Sequence, residues 1–180
     1  MLLSAVRARL TLDPGAEVTL EANPGTVEAA RFRGFREAGV NRISVGAQSF
    51  DDAMLQKLGR IHSAAEARRA VDTALEAVGN VNLDLMYGLP GQDLSQLSTD
   101  IETAIRCGTP HLSAYQLTIE PNTVFFSKPP PLPEHDLSAD MQHPHRRLRV
   151  RPPVFLRRVK RSAGRNQLSA ANRLGPRWQV

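Results

Sequence analysis

The chain has 180 residues, the length of one domain or of one domain with a tail, and its 41% hydrophobic and 23% charged composition excludes wholesale disorder. One cysteine excludes a disulfide framework and any metal cluster held by several thiolates of this chain alone. The net charge of +5 conceals two populations: 143–180 holds ten arginines, one lysine and no acid, a net +11, which leaves 12 basic and 18 acidic groups in 1–142, a net −6. The apolar runs fall short of the roughly 18 residues of a membrane span, and the opening Met1-Leu2-Leu3-Ser4-Ala5-Val6 meets Arg7 and Arg9 too soon for a secretory core. These features point to a soluble cytoplasmic protein with a reduced thiol.

In chain order, four β-like runs alternate with longer helix-like stretches, the pattern of βαβ units around a parallel sheet. The first strand is expected at Val18-Thr19-Leu20-Glu21, followed by a helix from Val27 to Ala38 that Gly39 ends. After a second strand at Arg42-Ile43-Ser44-Val45 come helices over Ala53 to about Arg60 and over Ala64 to Val78, the latter ended by Gly79. Ser49 or Asp51 supplies the N-cap of the former, and Ser63 with Glu66 fits the S/T-x-x-E capping box of the latter, whereas Thr26 with Ala29 is a poor box. The third strand is Val81 to Leu85, the next helix runs from Leu94 to Arg106 ahead of Gly108, and the fourth strand is Leu112 to Leu117. Phe32, Phe35 and Phe50 are assigned to the core.

Each strand carries or ends in a polar residue followed by turn chemistry. Glu21 precedes Asn23-Pro24-Gly25, Gln48 precedes Ser49-Phe50-Asp51, Asp84 precedes Gly88-Leu89-Pro90-Gly91, and Gln116 precedes Glu120-Pro121-Asn122. Their spacings of 27, 36 and 32 residues are about one βα unit each. They should therefore meet at the C-terminal edge of one parallel sheet, where open α/β sheets and (β/α) barrels both bind ligands. Singly, each could equally anchor its own turn; the repeated spacing favours a site. There is no strict G-x-G-x-x-G and no P-loop, so a dinucleotide or triphosphate site has no direct support.

At these same residues the chain resembles a known family. Glu21-Ala22-Asn23-Pro24-Gly25, the run Gly39 to Phe50, Leu58-Gly59-Arg60-Ile61-His62, the run Asn82 to Pro90 and the run Tyr115 to Thr123 are similar to the radical S-adenosylmethionine proteins related to oxygen-independent coproporphyrinogen III oxidase. Within that group the wording is nearest the HemW type of haem chaperone, over about Glu17 to Asp140. The resemblance implies an α/β fold, a partial (β/α) barrel that holds S-adenosylmethionine across its strand ends. Glu21 then matches the partner of the ribose hydroxyls, Gln48 and Asp84 match further polar contacts, and Arg60 matches the arginine that meets the cofactor's carboxylate. Read without the family, Arg60 is a helix-end cation. As function, the resemblance implies binding of haem and its delivery to respiratory haem proteins. The alternative is radical decarboxylation of coproporphyrinogen III.

The departures are as informative. Family members carry Cys-x-x-x-Cys-x-x-Cys for a [4Fe–4S] cluster, whereas this chain has only Cys107 at a helix C-terminus, read as a packed or surface thiol. No metal ligand is assigned, and the chain as written is expected to perform no radical chemistry. The Gly-rich segment of the family is missing, and Met1 is expected to fall inside the helix before the third family strand, so that the first βα units are absent. The expected divisions are a partial barrel over 1–127, a Pro-rich connection over 128–142 containing Lys128-Pro129-Pro130-Pro131-Leu132-Pro133, and a basic, disordered tail over 143–180. Three readings of the tail stay open: disorder, a patch for nucleic acid or a weak membrane-surface contact, and, preferred here, an out-of-frame product of GC-rich DNA. No specific nucleic acid is implied. His62 and His111 could be haem ligands, but a capping or surface role is preferred for each; His143 and His145 lie in the tail.

Overall fold

Alternation of polar and apolar residues along the strands decides the architecture. In the computed structural model, which describes residues 2–26, 29–134, 137, 140 and 141 and the backbone of 154–157, the elements follow in the order α1 (Leu2–Arg7), β1 (Thr19–Ala22), α2 (Ala29–Glu37), β2 (Arg42–Gln48), α3 (Asp52–Lys57), α4 (Ala64–Val78), β3 (Val81–Tyr87), α5 (Leu94–Arg106), β4 (His111–Gln116), α6 (Val124–Ser127) and β5 (Val154–Arg157). The sheet has the order β1-β2-β3-β4-β5, and every neighbouring pair is parallel. Parallel strands require crossovers, and α2, the α3–α4 pair and α5 provide those from β1 to β4. This is the expected partial (β/α) barrel.

Ile43, Val45 and Ala47 of β2, Val81, Leu83 and Leu85 of β3, and Leu112 and Ala114 of β4 form one core cluster with Phe32 of α2, the α4 residues Ala67, Ala70, Val71 and Ala74, and Leu97, Ile101 and Ala104 of α5. The opposite face of the strands carries Glu21, Ser44, Gly46, Asn82, Asp84, Ser113 and Tyr115, because side chains alternate with period two. The seam of small residues on α4 lets that helix lie close against β2, β3 and α2.

The capping chemistry accounts for the helix ends. Ser63 and Glu66 form the reciprocal capping box of α4, and Gly79 ends that helix at φ 75°, a conformation that suits a residue without Cβ. Asp51 rather than Ser49 caps α3, accepting from the N–H groups of Ala53 and Met54, and Asp93 with Gln96 boxes α5. Strands β2 and β3 run two or three residues further than expected, to Gln48 and Tyr87. Phe32 is core, but Phe35 is 38% exposed and Phe50 packs only partly buried against the core. The start of the helix expected from Val27 lies outside the described residues.

Near the C-terminal end, the Pro-rich stretch turns back on the β3–α5 loop, where the Gly91 N–H donates to the Pro131 carbonyl at 3.2 Å. Met141, in the segment expected to be a bare connection, is fully buried in the core. Four residues of the stretch expected to be irregular, Val154–Arg157, pair with β4. The rest of 143–180, with His143, His145 and the readings attached to the basic tail, lies outside the described residues.

Packing of the α4 seam yields a test. Ala74 is fully buried, so Ala74→Leu forces methylenes into a filled interface and should cost about 1–3 kcal/mol. The same change at exposed Ala65 of the same helix should stay within about 0.5 kcal/mol. Urea midpoints for the two variants check this, and equal shifts would sink the packing assignment.

Candidate functional site

The polar strand ends converge as the spacing requires. Glu21, Ala22 and Asn23 from the end of β1, Gly46 and Gln48 from β2, Asp84 and Met86 from β3, and Tyr115 and Gln116 from β4 line a single cleft of about 530 Å³ with Arg60 and Thr118. That volume lies in the range of small-molecule sites. All four residues singled out as cofactor contacts, Glu21, Gln48, Arg60 and Asp84, face this space, and so does Gln116. Helix α3 ends at Lys57, three residues short of Arg60, so Arg60 is a cleft residue rather than a helix-end cation.

The four differ in what already holds them. Asp84 is buried and its carboxylate is engaged: the Ser44 hydroxyl donates to Oδ2 at 2.5 Å and the Asn82 amide to Oδ1 at 2.8 Å. Asn82 also donates to the Ser44 hydroxyl at 2.8 Å and accepts from the Ser113 hydroxyl at 3.0 Å. A polar ladder thus crosses β2, β3 and β4 beneath the cleft. By contrast, the side chains of Glu21, Gln48 and Arg60 have no hydrogen-bond or ion-pair partner among the described residues. Removal of part of the Glu21 carboxyl from water and the nearby Asp84 carboxylate push the Glu21 carboxyl above the ordinary range, with Arg42 pulling it back.

Gln48 sits where β2 loses register with β3, one bulge beyond Val45, and its φ of 69° lies in the left-handed region. Bulges of this kind re-aim a side chain beside a site. Gly46 makes room for it: a Cβ there would come within 2.7 Å of Gln48 Nε2.

The remaining candidates fall elsewhere. His62 is buried, and its Nε2 donates to the Ala47 carbonyl at 3.1 Å, a structural bond. His111 opens β4, at the end of the sheet away from the cleft. Cys107 caps the C-terminus of α5 at that same far end, where burial pushes its thiol up. Among the described residues no three His, Cys, Asp or Glu side chains could hold a metal ion, and no helix is long and apolar enough to cross a membrane.

Sequence reasoning passed over Ser44, Asn82, Ser113, Met86, Tyr115 and Asp100. Asp100 stands out: an acid 2% exposed on the apolar row Leu97-Ile101-Ala104 of α5, it accepts from the Ser49 hydroxyl and the Phe50 N–H, each at 2.7 Å. An acid on a helix's buried face was the available signal, since burial of an unpaired carboxylate is costly.

Comparison with known proteins places these features in context. Residues 1–104 match the Radical SAM superfamily. The chain is 55% identical over 141 residues to the haem chaperone HemW of Escherichia coli and 52% identical over 141 residues to that of Haemophilus influenzae, each alignment covering 78% of this chain. It spans 37% of the length of these relatives. Among solved structures, coproporphyrinogen III oxidase (HemN) from Escherichia coli superposes with a TM-score of 0.69 at 24% identity, over 78% of this chain and 33% of the other, a likeness of fold.

The electrostatic coupling across the cleft is directly testable. In a carbon-detected NMR titration Glu21 should titrate above the ordinary carboxylate range, and Asp84→Asn should move it part of the way back down, since burial is the larger cause of the rise and the Asp84 charge the next. A midpoint unmoved by Asp84→Asn would disprove the coupling.

Proposed function

This chain belongs to the radical SAM superfamily, and from that premise we propose that its cleft is the S-adenosylmethionine site of a haem chaperone of the HemW type. The observation that carries the reading is the set of ends at one cleft that have no bonding partner among the described residues: a carboxylate on Glu21, an amide on Gln48 and a guanidinium on Arg60. A carboxylate can accept two hydrogen bonds from a ribose diol, and the fork of an arginine suits the methionyl carboxylate better than an ammonium does. Gln48 adds a group that both donates and accepts, and Met86 and Tyr115 supply flanking apolar surface. Asp84 contributes through the lone pairs that Ser44 and Asn82 leave unused.

In the superfamily, bound S-adenosylmethionine supplies a sulfonium that a reduced [4Fe–4S] cluster cleaves. The cluster does not fit the residues here. Three thiolates are needed, and the single cysteine lies at the opposite end of the sheet from the cleft. The proposed activity of these 180 residues is therefore binding, without radical cleavage.

Haem as cargo is supported by the likeness to haem chaperones over 78% of the chain; respiratory haem proteins as recipients and a cytoplasmic location are proposed with it. The oxidase alternative has only likeness of fold on its side.

Two measurements test the reading. Calorimetric titration with S-adenosylmethionine should show saturable binding that Glu21→Gln and Arg60→Gln each weaken about tenfold or more, as loss of charge-assisted hydrogen bonds requires. A ligand that bonds the ionised Glu21 binds more tightly as pH rises through the raised pKa of that group, so affinity should fall on acidification in the wild type and stay flat in Glu21→Gln. Haemin titration, followed by absorption, should saturate both for the full chain and for a version ending at residue 142. Because truncation at 142 also removes β5, haem binding that vanishes without 143–180 and also falls steeply with salt in the full chain would reduce it to charge attraction and remove the chaperone reading.

A further inference from the structure

We propose that Asp100, which lies outside the cleft, is a positioning residue for it: its buried carboxylate clamps the loop that carries Gln48 at one end and Arg60 at the other, and so sets the affinity for S-adenosylmethionine. The inference rests on the cofactor reading above.

Gln48 adopts a left-handed backbone, which a residue with a side chain keeps only when its surroundings hold it there. The holding groups are the next two residues. The Ser49 hydroxyl donates to Asp100 Oδ2 and the Phe50 N–H to Oδ1, both at 2.7 Å, and Ser49 is fully buried. The clamp extends along the chain, because Ser49 Oγ also accepts from the Asp51 N–H at 3.0 Å, and Asp51 caps α3, the helix that leads to Arg60. At the far foot of the loop, His62 ties back to the carbonyl of Ala47, the residue before Gln48. Both cleft side chains are thus mounted on one loop–helix segment, anchored to α5 by Asp100 and to β2 by His62.

The chemistry of the clamp explains why an acid stands on an apolar helix face. Two donors converge there, and a carboxylate accepts from both, whereas the amide of Asn presents one acceptor and one donor. Asp100→Asn therefore leaves either the Ser49 hydroxyl or the Phe50 N–H without its acceptor, in a volume that is almost unchanged.

The test compares the full chain with Asp100→Asn and with Ile101→Val, a change at the next residue of α5 that trims the apolar core and removes no hydrogen bond. Calorimetry with S-adenosylmethionine should show about a tenfold loss of affinity for Asp100→Asn and none for Ile101→Val, as expected when a contact group is misplaced. In nitrogen-detected NMR the side-chain amide of Gln48 should shift in Asp100→Asn alone. Should Asp100→Asn not fold, Ser49→Ala removes one of the two bonds to Asp100, with the bond from the Asp51 N–H, and should give a loss in the same direction. Wild-type affinity in Asp100→Asn, or equal losses in the two α5 variants, overturns the proposal. If the wild type does not bind S-adenosylmethionine, the cofactor reading and the affinity claim fall together. The clamp on Gln48 is then decided by NMR alone, where an unmoved Gln48 amide rejects it.

Discussion

A carboxylate buried in the middle of a sheet must be hydrogen-bonded or it destabilises the strands around it, and Asp84 meets that condition with groups from its own strand and a neighbouring one. Ser44 donates from β2 and Asn82 from β3, while Asn82 is itself held by Ser113 of β4. The pairing register makes this possible: Ser44 sits opposite Asn82, and Asp84 opposite Ser113. A slip of one residue would turn these polar groups toward the helices and the valines and leucines toward the cleft. The same register sets Glu21 beside Ser44, next to the ladder, which is why the Asp84 charge is felt at Glu21. One hydrogen-bonded ladder thus fixes the strands and the electrostatics of the cleft together.

Much of this was legible in the sequence, for identifiable reasons. The ends of α4 follow from Ser63, Glu66 and Gly79, residues whose preferences are local and strong. Convergence of Glu21, Gln48, Asp84 and Gln116 follows from repetition of a βα unit, which needs only approximate strand positions. What stayed hidden depends on tertiary context. A bulge in a parallel pair leaves no compositional mark, so neither the extension of β2 to Gln48 nor the left-handed turn there could be read from Gly46-Ala47-Gln48. Asp100 offered a signal in its helical row, but its partners lie 50 and 51 residues away, and no local rule names them. Val154–Arg157 were hidden by the arginines around them, and pairing with β4 overrides that composition.

The two ends of the sheet use their polar groups in opposite ways. At the end where the strands begin, Asn41 accepts from the Val18 N–H at 2.7 Å and donates to the Ala16 carbonyl at 2.9 Å, and Arg7 donates to the Ala38 carbonyl at 3.2 Å. These side chains spend their hydrogen bonds on backbone that would otherwise fray. At the end where the strands finish, Glu21 and Arg60 are exposed and unengaged among the described residues, which costs little because water serves them. Asp84 is buried, so it cannot wait for a ligand and is satisfied from within.

Burial therefore sorts the cleft residues by role. An exposed polar end can exchange water for ligand with little penalty, and so is free to recognise; a buried one must be bonded beforehand, and so is fit to orient. On this principle the exposed Glu21 and Arg60, with the half-buried Gln48, are the groups suited to recognition in the proposed reading, whereas Asp84, beside any contact of its own, and Asp100 brace the strands and the segment that carry them. Binding of this kind needs no thiolate. Recognition of a cofactor by polar groups at strand ends is physically separable from the electron delivery that a cluster's thiolates would support.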